Sequence, residues 1–250
     1  MDEELLKKRI LELAEKAYHT GQYCFTSFLG LAEQDVLHRA EKAISYVPHS
    51  LYGGADGCER VMVRFGSESL CGYDMPFPIS CVKAEPLSQK FADRLSHRDI
   101  LGAVMNLGID RSRTGDIVIR ENVAYIFCTE QISQYICDGL VRAKHTDLSC
   151  SIATELPAGE LFKTQTMQLN SASERLDGIA SQFLKLSRSA VNELIASGKL
   201  FINGRCCMDG SKTLRSGDVV SMRGYGRFIY RETVRETRKG RLVIHVDAYV

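Results

Sequence analysis

The stretch from Arg175 to Phe228 constrains the fold more than any other part of the chain: RLDGIASQFLKLSRSAVNELIASGKLFINGRCCMDGSKTLRSGDVVSMRGYGRF. Leu176, Ile179, Ala180, Phe183 and Leu184 fall at helical spacing and give one apolar face. Ser187 can cap a second helix carrying Val191, Leu194 and Ile195, and Gly198 stands where that helix wants a left-handed residue after its end. Strands are predicted at Leu200–Ile202 and Val219–Met222. Asn203-Gly204 after the first is a two-residue hairpin signal, and Gly217-Asp218 turns the chain into the second. Two short helices against a small sheet is the expected arrangement.

Charge singles out the same region. The chain has 250 residues and a net charge of +1. From Ser171 onward there are 14 Lys/Arg and 8 Asp/Glu, a net of +6, which leaves −5 for the first 170 residues. A basic end on an acidic body suits a polyanion. The candidate contacts are Arg175, Lys185, Arg188, Lys199, Arg205, Lys212, Arg215, Arg223 and Arg227. Guanidinium forks match phosphate oxygens, and the start of the second helix near Ser187 adds backbone donors. Such a surface reads RNA by shape and backbone.

The rest of the chain reads as mixed helix and strand. Leu5, Leu6, Ile10, Leu13, Ala14 and Ala17 recur at helical spacing until Gly21, and a second helix is expected over Ala32–Ile44. Strands are expected at Arg60–Phe65 and Ile79–Ala84, closing a first domain near residue 85. In the next segment Phe91–Leu107 reads as helix. Asp116–Glu121 and Val123–Cys128 read as a hairpin about Glu121-Asn122. Thr129 can cap a helix with Ile132, Ile136 and Leu140 on one face, and a strand is expected near Asp147–Thr154. Pro157-Ala158-Gly159 marks a turn, and Thr164–Leu169 a strand leading into the last domain. The expectation is an α+β chain of three small domains: 1–85 helix-rich, 86–160, and 170–250 ending in a hairpin turned by Arg238-Lys239-Gly240.

The last domain resembles the RNA-binding domain named after small-subunit ribosomal protein S-four. The resemblance rests on Arg175-Leu176-Asp177, Ser187-Arg188, Gly198 to Gly204 (GKLFING) and Leu214 to Asp218 (LRSGD), spread over about 55 residues. It implies RNA contact by Arg175, Lys185, Arg188, Lys199 and Asn203; the other basic positions rest on charge alone. Leu95–Ile119 (LSHRDILGAVMNLGIDRSRTGDIVI), together with Gly53-Gly54 and Glu59-Arg60, is similar to the bacterial YlmH-type proteins. That likeness implies a middle domain like an RNA-recognition motif. It also implies partners on the large ribosomal subunit, ribosomal RNA and tRNA, and a part in handling stalled nascent chains.

Other chemistries find little support. The nine cysteines contain no C-x-x-C pair, and the histidines are scattered without metal-ligand spacing, so no metal or cofactor is expected. His97-Arg98-Asp99 resembles a kinase catalytic loop, but Val104 stands where that loop needs Asn. Tyr125 and Phe127 share a strand face on which such a motif would stack bases. The glycine-aromatic signature is absent, and core packing is the expectation. The N-terminal segment lacks the apolar core of a secretion signal and Val123–Cys128 is too short to cross a bilayer, so a cytoplasmic chain without membrane or small-molecule partners is expected. The expected function is non-catalytic RNA binding. The alternative is an RNA-modifying enzyme of the pseudouridine-synthase kind or its accessory subunit, although only 22 residues follow Phe228. A tRNA synthetase fragment would need an H-x-G-H signature, which is missing.

Overall fold

The computed structural model describes residues 2–157 and 161–249. The chain divides into two compact units, residues 1–162 and 163–250. The expected turn at Pro157-Ala158-Gly159 falls on residues 158–160 and lies outside the described residues.

The first unit begins with α1 (Glu3–Thr20), β1 (Cys24–Phe25), α2 (Leu31–Ala40), β2 (His49–Tyr52), β3 (Met62–Phe65) and α3 (Glu68–Cys71). The three strands form an antiparallel sheet in the order β1-β3-β2. Leu6, Ile10, Leu13, Ala14 and Ala17 of α1 bury against Val36 and Leu37 of α2 and Val63 and Phe65 of β3. The apolar stripe read from the sequence is therefore the core face of α1. Strands β1 and β2, at two and four residues, are too short to show an alternating pattern and were not expected.

The unit continues with β4 (Ile79–Pro86), α4 (His97–Asn106), β5 (Thr114–Arg120), β6 (Val123–Thr129), α5 (Glu130–Gly139), β7 (Arg142–Ala143) and β8 (Thr146–Ile152). These strands make an antiparallel sheet ordered β5-β6-β4-β8-β7. With two helices between the strands, the connectivity is that of the split βαβ fold. The strand expected at the end of the first domain is thus β4, in the middle of this second sheet. Ile100 and Val104 of α4 and Ile132 and Ile136 of α5 cover one face through Val82, Ala124 and Ile126.

Two local expectations need correction. The helix expected from Phe91 starts at His97, because Ser96 and Asp99 form a reciprocal capping box: the Ser96 N–H donates to the Asp99 carboxylate at 2.8 Å, and the Asp99 N–H donates back to the Ser96 hydroxyl at 3.4 Å. Thr129 does occupy the N-cap position of α5, but its hydroxyl is buried without a hydrogen bond. The Glu130 N–H there donates to the Pro78 carbonyl. The Glu121-Asn122 hairpin turn is present with both residues at positive φ, 48° and 64°. Asn122 accepts from the Leu95 N–H and donates to the Asp93 carbonyl, which holds that turn in place.

The second unit runs β9 (Thr164–Ser171), α6 (Leu176–Leu184), α7 (Arg188–Ala196), β10 (Leu200–Ile202), β11 (Arg205–Cys206), β12 (Val219–Met222), β13 (Gly226–Glu236) and β14 (Leu242–Tyr249). Its six strands are ordered β11-β10-β12-β13-β14-β9, so the first strand pairs with the last. Leu176, Ile179 and Ala180 of α6 and Val191 and Ile195 of α7 pack on Leu200, Val220, Phe228 and Ile244. Phe183 stacks at a tilt on Phe228, with ring centroids 4.7 Å apart. The two-helix-plus-sheet arrangement expected of residues 170–250 is the one observed.

Candidate nucleic-acid interface

In the second unit the sequence motif separates into residues that build the surface and residues that lie on it. Asn203 and Gly204 adopt φ of 51° and 76°, the doubly left-handed turn that joins β10 to β11. The Asn203 side chain accepts from the Val219 N–H at 2.9 Å and donates to Asp218 at 2.8 Å. The other Asp218 oxygen accepts from the Arg215 N–H. The Asn-Gly and Gly-Asp pieces of the motif are therefore one knot tying two turns together. One N–H and the oxygen of the Asn203 amide, a residue expected to contact RNA, are thus bonded within the frame.

Arg175 and Asp177 form a second structural pair. The buried Asp177 carboxylate accepts from Nε and Nη2 of Arg175 at 3.2 and 3.0 Å, and that bonding raises the guanidinium pKa. The start of α6 is closed by the 209–213 loop: the Leu176 and Asp177 N–H groups donate to the Lys212 and Gly210 carbonyls. Arg175 remains half exposed at this junction, beside Lys212.

The start of α7 differs. The Ser187 hydroxyl accepts from the Ala190 N–H, as its N-cap position requires, and Ser187, Arg188 and Ser189 are all exposed. A Cβ added to Gly178 would lie 2.9 Å from Nη2 of Arg188, so this guanidinium rests across α6. Lys185, the left-handed residue ending α6, precedes it by three residues. Farther along, the Arg223 N–H donates to the Lys199 carbonyl, which brings those two basic residues side by side. Arg215 sits on the knot with Asn203 and Asp218, and Arg205 lies on β11 at the sheet edge. Arg227 stacks on Tyr249, its guanidinium carbon 3.6 Å from the ring centroid.

Lys185, Arg188, Lys199, Lys212, Arg215 and Arg223 are exposed. Among the described residues, none of these six side chains makes an ion pair or a side-chain hydrogen bond. They are solvated cations fixed on a rigid frame, ready to exchange water and counterions for phosphate oxygens.

The motif residues of the first unit do something else. Arg60 donates from Nε to the Thr114 carbonyl and from Nη2 to the Phe28 and Arg111 carbonyls. Arg111 donates to the Thr114 and Gly115 carbonyls, and burial, with Arg60 close by, pushes its guanidinium pKa down to about 10. The Asp116 carboxylate accepts from the Glu59 and Arg60 N–H groups. Together they fasten the 53–60 loop and the Phe28 loop onto the second sheet.

What they cover is the sheet face opposite the helices. Tyr125 and Phe127, on the face where a motif of this topology would stack bases, are 8% and 1% exposed. They pack with Phe28, Met62, Cys81 and Leu161. A Cβ on Gly54 would stand 2.3 Å from the Phe127 ring, and Gly54 has φ of 104°, so the loop can lie on that ring only as glycine. Periodicity could not reveal this cover; the paired glycines and the Glu-Arg dipeptide were its visible trace.

Residues 77–154 match a family model described as "Putative RNA-binding domain in YlmH", and residues 174–220 match the S4 domain. Over 246 residues the chain is 24% identical to the ribosome-associated protein quality control protein P2 of Bacillus subtilis (strain 168), covering 95% of this chain and 92% of that protein. Among solved structures it is similar to the cell division protein ylmH from Streptococcus pneumoniae at 25% identity and a TM-score of 0.48, over 60% of this chain and 90% of that one. No helix among the described residues is long and apolar enough to cross a membrane. With a YlmH RNA-binding domain followed by an S4 domain toward its C-terminal end, the chain has the domain architecture of the YlmH-type RNA-binding proteins.

Proposed function

We propose that this protein is a non-catalytic adaptor that grips structured RNA on the large ribosomal subunit, with tRNA as a further partner. It acts in the cytoplasm, in translation or in the quality control of stalled ribosomes. The observation that carries the reading is the set of six exposed cations on the S4 frame that have no ion-pair partner among the described residues. The name of the Bacillus subtilis relative supports the ribosomal setting. The covered face of the second sheet supports placing the grip in the C-terminal unit, because the aromatic residues that could stack bases are already packed. We read residues 77–154 as the middle module, with β4 belonging to it, and residues 1 to about 76 as the segment that covers its sheet. No metal, cofactor or small-molecule substrate enters this reading, and the protein leaves bound RNA unmodified.

The test is co-sedimentation of the full chain with ribosomal subunits, paired with a salt titration on purified large-subunit ribosomal RNA. About four to six phosphate contacts by these cations contribute on the order of −3 to −5 to the log–log slope. Lys185→Gln with Arg188→Gln removes two exposed cations without leaving a buried partner, so binding should weaken by at least about tenfold while the melting temperature holds. A slope near zero would overturn the reading. Mass spectrometry of ribosomal RNA from cells lacking the protein tests the non-catalytic part: a modified base lost on deletion and restored by the wild-type gene would overturn that part.

A further inference from the structure

The S4 match ends at residue 220, yet the second unit continues into the long β13–β14 hairpin, whose second strand also pairs with β9 from Leu242↔Ser171 to Tyr249↔Thr164. Strand β13 pairs with β14 from Phe228↔Ala248 to Glu236↔Leu242. Its other edge meets β12 only as far as Ile229. The eight residues from there to Thr237 carry the layer of β13, β14 and β9 on the order of 25 Å past β12. Two bulges, at Tyr230/Glu232 and Thr233/Arg235, bend and twist it on the way.

The end of the hairpin is a closed turn. The Thr237 N–H donates to the Arg241 carbonyl at 2.7 Å, the Gly240 N–H to the Thr237 carbonyl at 2.9 Å, and the Arg241 N–H to the Thr237 hydroxyl at 3.0 Å. Around this turn stand Arg235, Arg238, Lys239 and Arg241, with Glu236 the one acid between 235 and 241, a net of +3 (4 − 1). All four cations are exposed, and among the described residues none of their side chains forms an ion pair or hydrogen bond. The charges nearer the core are treated differently: the cation Arg231 is bonded to Asp247, and the carboxylate of Glu174 accepts from Tyr230 and Thr233.

We infer that the β13–β14 tip is a second RNA-contacting surface, which holds a run of phosphates apart from the one gripped by the S4 helices. The partner is RNA backbone rather than bases, since residues 235–241 contain no aromatic side chain on which a base could stack. Three of the four cations are arginines, whose planar forks suit phosphate oxygens. The hydrogen-bonded turn fixes their positions before binding, so little ordering entropy is lost on contact. The competing explanation is that these charges keep an unpaired strand edge from joining another chain. The inference rests on the RNA-binding reading above and adds a surface to it.

The experiment is a salt titration of the full-length protein on purified large-subunit ribosomal RNA. It compares wild type, the Lys185→Gln/Arg188→Gln protein, a tip variant with Arg235, Arg238, Lys239 and Arg241 all changed to Gln, and a second tip variant with the three arginines changed to Lys. Sedimentation velocity and thermal melts accompany each. The all-Gln tip variant should stay monomeric and folded, lose about three from the magnitude of the log–log slope, and bind at least about tenfold more weakly. The Lys variant should keep the wild-type slope, because counterion release counts charge. An unchanged slope in the all-Gln variant while the Lys185/Arg188 protein loses affinity would overturn this inference and leave the proposed function standing. The same unchanged slope with new self-association would assign the charges to edge protection. If wild type itself shows no salt-dependent binding, the functional reading fails and this one with it.

Discussion

The two units each set helices against one side of an antiparallel sheet, and each carries arginines in its sequence motifs, but they spend them in opposite ways. In the first unit Arg60 and Arg111 are turned inward and bonded to carbonyl oxygens, and the sheet face that could read bases lies under Phe28 and the Gly53-Gly54 loop. In the second unit Lys185, Arg188, Lys199, Lys212, Arg215 and Arg223 make no side-chain bond among the described residues, and the acids of the motif, Asp177 and Asp218, hold the frame. What the comparison teaches is that a count of arginines does not locate an RNA surface. The bonding of their N–H groups separates the arginines held by the fold from those that, among the described residues, face solvent.

The comparison breaks most readily at the cover. Gly54→Ala drives a Cβ into Phe127 at a backbone angle that alanine rarely adopts, so we expect a stability loss of at least about 3 kcal/mol. In a thermal melt that is a fall of roughly 6–12 °C. Below the transition, RNA affinity should not change. Higher affinity in this variant would mean that the aromatic face is a binding surface held in reserve, and the contrast between the units would collapse.

A smaller effect separates frame from surface within the second unit. Asn203→Ala loses two side-chain bonds and places alanine at positive φ, which should cost about 1–2 kcal/mol by denaturant titration. Affinity for RNA, measured where the variant is folded, should stay within about twofold, in contrast to Lys185→Gln/Arg188→Gln. Lost affinity with unchanged stability would restore Asn203 as an RNA contact.

The smallest expected effect concerns the closed interior of the first unit. Burial pushes the Cys81, Cys128 and Cys150 thiols from an ordinary 9.0 up to about 12. Their ionised form is disfavoured in the fold, so stability from this source is intact below pH 9.0 and is lost as pH rises toward 12. At pH 8 these three should label slowly with a thiol reagent, followed by peptide mass spectrometry, and quickly once the chain is unfolded. Rapid labelling in the native protein would show a first unit more open than its packing implies.

Much of the second unit could be read from the chain because its signals are local. The Asn203-Gly204 turn, the Ser187 cap and the apolar stripe from Leu176 to Leu184 each specify backbone geometry within a few residues. The first unit hid more, because its decisive contacts join residues far apart: Arg60 with Arg111 and Thr114, Gly54 with Phe127, Glu59 with Asp116. No short-range pattern predicts that an N-terminal loop will cover a sheet formed 50 residues later. The same reason explains why β4 looked like the end of one domain when it is the middle of the next sheet. Among candidate site residues, all the cations but Arg227 lie exposed, as their charge implies. That Asn203 and much of Arg175 serve the frame required knowing which acid each one meets.

The most direct test of where RNA is held is photocrosslinking of the full-length protein to large-subunit ribosomal RNA, followed by mass spectrometric mapping of the crosslinked peptides. The account predicts crosslinks concentrated in residues 175–241, on peptides bearing Lys185, Arg188, Lys199, Arg223 and the β13–β14 tip, with few on the strand bearing Tyr125 and Phe127. Crosslinks dominated by that strand would contradict it, because they would require the covered face of the first unit to be the one that touches RNA.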